Sequence, residues 1–248
     1  MKNKIIGFYA LEINYPLYRI YKRLWRFKKR IRGKKIKITN LPKATWKKIA
    51  PDTRPEIFES KKIDGNVKLF ELAIISTFAG DVKPNTTIFE IGTFDGRTTL
   101  NLAANSPDSC EIITLDLPPD TETKNKLADG EKIWVDKPVS GLRFIEHNDE
   151  NITSKIKQIY GDSGNFDFSP YKNKCSLVFV DGSHSYDNVI SDSKNAFEMI
   201  IPGGVVLWHD YGVWDDVTKA LEEIAETYKL EMHHIEDTSL VYWKKNNE

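Results

Sequence analysis

Phe89-Glu90-Ile91-Gly92-Thr93-Phe94-Asp95-Gly96-Arg97-Thr98-Thr99 reads as the end of a strand, a glycine turn and the start of a helix. Thr87–Ile91 is short, apolar and β-branched, as a buried strand requires. Gly92 permits a tight turn, and Gly96 lets backbone approach a ligand where the next helix begins. The spacing is not the GxGxxG dinucleotide fingerprint, which counts against a nicotinamide enzyme. Glu90 sharpens the reading, because a carboxylate inside an apolar strand is costly to bury without a partner. Either loop amides or a cationic ligand would supply one.

Outward from this stretch, helices and strands alternate. Val67–Phe78 carries apolar residues at helical spacing, and Arg97–Ala104 reads as helix. Glu111–Leu115, Ile156–Tyr160, Ser176–Val180 and Val205–Trp208 read as further strands. Tyr186–Ile200 and Val217–Tyr228 read as helices. Leu230–Ile235 and Leu240–Trp243 suit a closing antiparallel hairpin around Glu236–Ser239. Residues 117–155 are polar and irregular, with room for one or two helices. The expected fold is α/β: a Rossmann-like, doubly wound, mostly parallel sheet with a C-terminal antiparallel hairpin, in three αβα layers.

Such sheets bind ligands at the carboxyl ends of their strands. Five consecutive strands end in acids: Glu90, Asp116 (twenty-four residues after Gly92), Asp162 before Ser163, Asp181, and Asp210 after His209. Any one could be a turn or helix-cap residue. Five at one edge suit a cationic ligand, a metal ion, or both. Asp116 stands where an acid can accept from both hydroxyls of a ribose.

The total charge is zero, from 36 bases and 36 acids, but it is unevenly spread. Residues 1–48 hold sixteen Lys or Arg and one acid, Glu12, leaving twenty bases against thirty-five acids for residues 49–248. The reading is a basic N-terminal extension over residues 1–60 and a body over 61–248. Leu17, Ile20, Tyr21, Leu24 and Trp25 recur at helical spacing beside cationic residues. That pattern suits either peripheral contact with a membrane through residues 1–40 or docking on the body or a partner. The acidic body speaks against an extensive nucleic-acid footprint. Cys110 and Cys175 have no metal-ligand or redox spacing and read as reduced thiols, hence a cytoplasmic location. The oligomeric state stays open, and no P-loop, zinc spacing or nucleophile elbow suggests hydrolysis or phosphoryl transfer.

At this point a family resemblance becomes specific. Glu90-Ile-Gly-Thr-Phe-Asp-Gly-Arg-Thr-Thr99 resembles motif I of class I S-adenosylmethionine-dependent methyltransferases. Asp181-Gly-Ser-His-Ser-Tyr186, Asp192, Pro202-Gly-Gly204 and His209-Asp-Tyr211 resemble methyltransferase family 24, which is similar to the cephalosporin-hydroxylase and macrolide-sugar O-methyltransferase types. The resemblance covers about residues 60–245. It implies that Glu90, Gly92, Thr93 and Gly96 hold the methionine part of S-adenosylmethionine. Asp116 would hold the ribose, and Asp162 with Ser163 the adenine, while Asp181 faces the cofactor and a cation alike. Metal-dependent relatives imply Mg²⁺ or another divalent ion on Asp181, His209 and Asp210. The histidine replaces an oxygen ligand there and departs from the best-known pattern.

His184 is the first candidate for general base and His209 the second, since imidazole titrates near neutrality. His184 equally suits a helix-start cap. Tyr186 and Trp214 suit either an acceptor pocket or core packing, and His233 and His234 a structural role. The implied reaction is methyl transfer to a small-molecule or sugar hydroxyl. The alternative is a catalytically idle domain that binds cofactor or partner and attaches to a membrane surface by its basic arm. The filled positions Asp181, His184 and Asp210 count against it.

Overall fold

The computed structural model describes residues 39–118, 121, 123, 126–131, 135 and 139–247. The helix expected around Leu17–Trp25 lies outside the described residues. Eight strands form one sheet in the order β1-β7-β8-β6-β5-β2-β3-β4. β2 (Thr87–Ile91) is central. On one side lie β3 (Glu111–Asp116) and β4 (Ile156–Tyr160), both parallel to their neighbours. On the other lie β5 (Cys175–Val180) and β6 (Ile200–Trp208), also parallel. β8 (Val241–Lys244) runs antiparallel between β6 and β7 (His233–Ile235), which makes the expected hairpin. The chain therefore winds away from β2 in both directions, and a crevice opens between β2 and β5 at the strand ends.

Alternation of side chains across the sheet builds two cores. Phe89, Ile91, Val178, Val180 and Trp208 face one way, toward helices Tyr186–Met199 and Asp215–Tyr228. Ile88, Ile112, Leu177, Phe179 and Leu207 face the other, toward α2 (Leu69–Gly80) and α3 (Arg97–Asn105), which follow the one-turn α1 (Trp46–Ile49) in the chain. Both faces are covered, so the central strands are mostly apolar, and Glu90 is the one charged residue within β2 and β5.

Two features differ from the sequence expectation. β6 begins five residues early, at Ile200, and runs through Pro202-Gly203-Gly204. The ladder to β5 shifts register between Cys175 and Leu177, so the turn-like tripeptide is absorbed as an irregularity near the strand's start. A two-residue strand, β1 (Lys43–Ala44), pairs in parallel with β7 at the sheet edge.

Residues 39–60, counted above with the extension, lie against the body. Asn40 donates from its backbone and side chain to Glu222, at 2.8 and 2.9 Å. Residues 56–58 form a strap along α3. Asn105 Oδ1 accepts from Glu56 N at 2.8 Å, and Asn101 Oδ1 from Phe58 N at 2.9 Å. Each asparagine amide donates back to the carbonyl of the same strap residue, at 2.8 and 3.0 Å. Two asparagines four residues apart on one helix face thus satisfy an irregular backbone as a neighbouring strand would. Among the described residues no helix is long and apolar enough to cross a membrane. Cys110 and Cys175 are buried and free.

Candidate active site

The crevice holds a cavity of about 460 Å³, within the range of small-molecule sites. Gly92, Thr93, Asp116, Asp162, Ser163 and Asp181 line it, as do His184, His209 and Asp210. Glu90 and Gly96 stand just outside the lining. Gly92 has φ +100°, and a Cβ there would lie 2.2 Å from the Asp181 carbonyl oxygen. The ends of β2 and β5 meet so closely that only glycine fits. Gly96, at φ +83°, caps α3 against Phe144, whose ring would be 2.6 Å from an added Cβ.

On the β2–β4 side, acids are held by hydroxyl groups. Glu90 is 1% exposed. Its Oε2 accepts from Thr99 Oγ1 and, at 2.7 Å, from Thr114 Oγ1, while Oε1 has no partner. Burial pushes the Glu90 carboxyl up to about 8, against the two threonine hydrogen bonds. Thr93 Oγ1 lies 2.6 Å from Thr114 Oγ1 and extends this chain to the cavity wall. Asp116 accepts from Ser140 Oγ, which in turn receives Gln158 Nε2 at 2.6 Å. Asp162 Oδ1 caps its own turn through Gly164 N at 2.9 Å.

On the β5–β6 side, acids are held by imidazoles. His184 Nε2 is 2.8 Å from Asp210 Oδ2, and its Nδ1 is 3.1 Å from Glu131 Oε1. The ring stacks on Trp214 with centroids 4.5 Å apart. His209 Nδ1 is 3.1 Å from Asp181 Oδ1, and its Nε2 is 3.3 Å from Glu71 Oε2. Burial alone would lower both imidazoles, but the flanking carboxylates outweigh it. They raise His184 to about 10 and His209 well above its ordinary value. Burial works against Glu71 too, yet His209 and backbone amides hold it well below the usual carboxylate range. Asp210 adopts φ +66°, an uncommon conformation for a non-glycine residue.

Asp181, His184 and Asp210 can each place one donor atom within 4.8 Å of the other two. His209, paired with Glu71, stands behind this trio but keeps Nδ1 directed at Asp181. Trp214 lines the cavity, whereas Tyr186 packs outside it under Lys219 Nζ, 4.7 Å from the ring centroid. His234 sits on β7, and its Nε2 donates to the Thr238 carbonyl at 2.9 Å. Sequence reading missed Glu71 and Glu131, the two acids behind the imidazoles. Glu71 left a faint signal, being the one charged residue in the apolar run Leu69–Ala79. Glu131 left none, because it comes from the motif-free insertion.

Fold and site together define a class I S-adenosylmethionine-dependent methyltransferase. More particularly, residues 89–211 match the model of a family described as a methyltransferase domain, and the chain belongs to this methyltransferase family 24. The O-methyltransferase NovP superposes with a TM-score of 0.55 at 16% identity, over 72% of this chain and 81% of that one. The S-adenosylhomocysteine-bound methyltransferase PaMTH1 of Podospora anserina superposes at 0.54 and 16% identity, over 75% and 81%. The O-methyltransferase TomG of Streptomyces achromogenes, involved in tomaymycin synthesis and solved with S-adenosylmethionine, superposes at 0.51 and 14%, over 76% and 93%. These likenesses establish the fold. No curated protein matches the chain in sequence.

Proposed function

We propose that the protein transfers the methyl group of S-adenosylmethionine to a hydroxyl oxygen of a small molecule or sugar, with help from a divalent cation. One observation carries the reading: four strand ends bring Asp116, Asp162, Asp181 and Asp210, with two imidazoles among them, to one crevice of small-ligand size.

The residues fit the cofactor. Glu90 Oε1 is an orphaned buried acceptor beneath Gly92 and Thr93, suited to an ammonium through an intervening water. Asp116 would take the ribose hydroxyls, and Asp162 with Ser163 the adenine edge. The bound sulfonium supplies an activated methyl group. The chain's task is then to align the acceptor oxygen with it and to remove the acceptor's proton.

Asp181, Asp210 and His209 would hold the cation, which lowers the acceptor hydroxyl's pKa. The donor chemistry fits, because the His209 Nδ1 atom lies 3.1 Å from Asp181 Oδ1 and 3.5 Å from Asp210 Oδ1. His184 is the proposed base. While Asp210 and Glu131 hold it protonated it cannot accept a proton. With the Asp210 charge engaged by a bound cation, His184 would release its Nε2 proton to solvent, keep Nδ1–H toward Glu131, and so be free to accept the acceptor's proton at Nε2. Trp214 and Val213 would shape the acceptor side of the cavity.

The peripheral membrane contact through residues 1–40 is also a proposal, drawn from composition. It gains interest because a side chain at Gly212 would touch Thr39, so the arm joins the body beside the acceptor side of the cavity. No observation favours the idle-domain reading.

The test is methyl transfer from labelled S-adenosylmethionine to a panel of sugars, glycans and phenols, with and without EDTA. Transfer to a hydroxyl, lost in EDTA and restored by a divalent salt, is expected. Binding of S-adenosylhomocysteine without transfer to any acceptor class would return the idle-domain reading.

A further inference from the structure

We infer that Glu71 is a positioning residue for the cation site. It holds one hydrogen of His209 on Nε2, so that Nδ1, which faces Asp181 and Asp210, is the atom that would give up its proton and become a nitrogen donor to an entering cation. The mixed nitrogen and oxygen set then prefers a transition-metal dication such as Mn²⁺ or Ni²⁺ over Mg²⁺. The inference rests on the cation reading of the same site.

Glu71 is 1% exposed and reaches the crevice from α2, not from a strand end. Its Oε1 accepts from Ser239 N at 2.8 Å and Ser239 Oγ at 2.9 Å. Its Oε2 accepts from Lys68 N at 2.8 Å and lies 3.3 Å from His209 Nε2. The carboxylate is thereby pinned to the start of its own helix and to the turn between β7 and β8. An ionised carboxylate only accepts, so each imidazole nitrogen facing one carries a hydrogen in the metal-free protein, Nε2 toward Glu71 and Nδ1 toward Asp181. An entering cation would displace the Nδ1 proton to solvent, while Glu71 keeps the one on Nε2.

The opposite nitrogen, Nδ1, lies 3.1 Å from Asp181 Oδ1 and 3.5 Å from Asp210 Oδ1. Neighbouring donors around one octahedral ion with bonds of about 2.1 Å stand roughly 3 Å apart. His209 Nδ1 already stands at about that spacing from each of the two carboxylate oxygens. A carboxylate behind a ligand imidazole fixes its tautomer and raises its basicity. Mg²⁺ prefers oxygen donors and keeps its waters, whereas imidazole favours later first-row ions.

Isothermal titration of the full-length protein with MnCl₂, NiCl₂ and MgCl₂, alongside S-adenosylhomocysteine, tests this without turnover. The wild type is expected to bind Mn²⁺ at least ~10-fold more tightly than Mg²⁺. Glu71→Gln should weaken Mn²⁺ binding by ~10–100-fold and leave S-adenosylhomocysteine affinity within about threefold. His209→Asp should remove the preference for Mn²⁺, and it serves if Glu71→Gln does not fold. Unchanged Mn²⁺ affinity in Glu71→Gln, or an unchanged Mn²⁺ to Mg²⁺ ratio in His209→Asp, would overturn the inference while the cation reading stands. An equal loss of Mn²⁺ and S-adenosylhomocysteine binding would reduce Glu71 to a structural role and overturn it as well. A wild type that binds S-adenosylhomocysteine but no dication at millimolar concentration would overturn the cation reading itself.

Discussion

The two halves of the crevice hold their acids in opposite ways. Around β2, β3 and β4, carboxylates rest on neutral hydroxyls: Glu90 on Thr99 and Thr114, Asp116 on Ser140. Around β5 and β6 they rest on imidazoles, each backed by a further glutamate: Glu71–His209–Asp181 and Glu131–His184–Asp210. Hydroxyl partners orient a carboxylate without supplying a compensating charge, so Glu90, which burial raises to about 8, is left to ionise against a cationic ligand. Imidazolium partners cancel much of the charge, so the second half is internally balanced until something displaces a proton. One half is built for binding and the other for proton and charge exchange.

The sharpest way to break this division is His184→Ala. It should slow turnover by ~10²–10⁴-fold while S-adenosylhomocysteine binding, read by calorimetry, stays near wild type. Near-normal turnover would move the base to His209.

Glu90 offers the next largest effect. Its carboxyl rises from an ordinary 4.5 to about 8 on folding. An acid with a raised folded value contributes stability below its unfolded value and loses it as pH climbs through the folded one. The ligand-free protein should therefore lose ~2–4 kcal/mol between pH 5 and 8 from this group alone. Glu90→Gln should flatten that decline in denaturant titrations. A decline just as steep in Glu90→Gln would assign it elsewhere.

Asp116→Ala should weaken cofactor binding by ~1–3 kcal/mol, because buried ribose hydroxyls lose their acceptor. Affinity equal to the wild type would remove the ribose assignment. The smallest effect is expected at the strap, where Asn101→Ala should cost ~1 kcal/mol of stability. Thermal unfolding with and without S-adenosylhomocysteine would show whether that loss also reaches the crevice.

Much of this architecture was legible in the chain. Thr87–Ile91 was recognisable as a short, mostly apolar run and Ile156–Tyr160 as a short run ending in Ile-Tyr before the Gly161-Asp162 turn, and both strands occupy those residues in the fold. The edge that gathers Asp116, Asp162, Asp181 and Asp210 followed from the alternation of strands with helices. What stayed hidden depends on distant partners. Lys43–Ala44 is too short to show a period and becomes a strand only beside His234 and Ile235. Pro202-Gly203-Gly204 has turn chemistry, yet pairing on both sides draws it into β6. Glu71 and Glu131 come from a helix and an insertion far from the strand ends in sequence, so no spacing rule connects them with His209 and His184.

The asparagine-bound strap has a consequence for how ligand affinity and chain integrity are joined. After Phe58 the backbone passes Arg97, whose guanidinium donates to the carbonyls of Glu59, Ser60 and Val67, and then forms the crevice wall at Asn66 and Lys68. Occupancy of the crevice and closure of this N-terminal stretch are therefore one thermodynamic transaction. Amide hydrogens at Glu56 and Phe58 should exchange more slowly when the crevice is full, although neither residue touches what fills it.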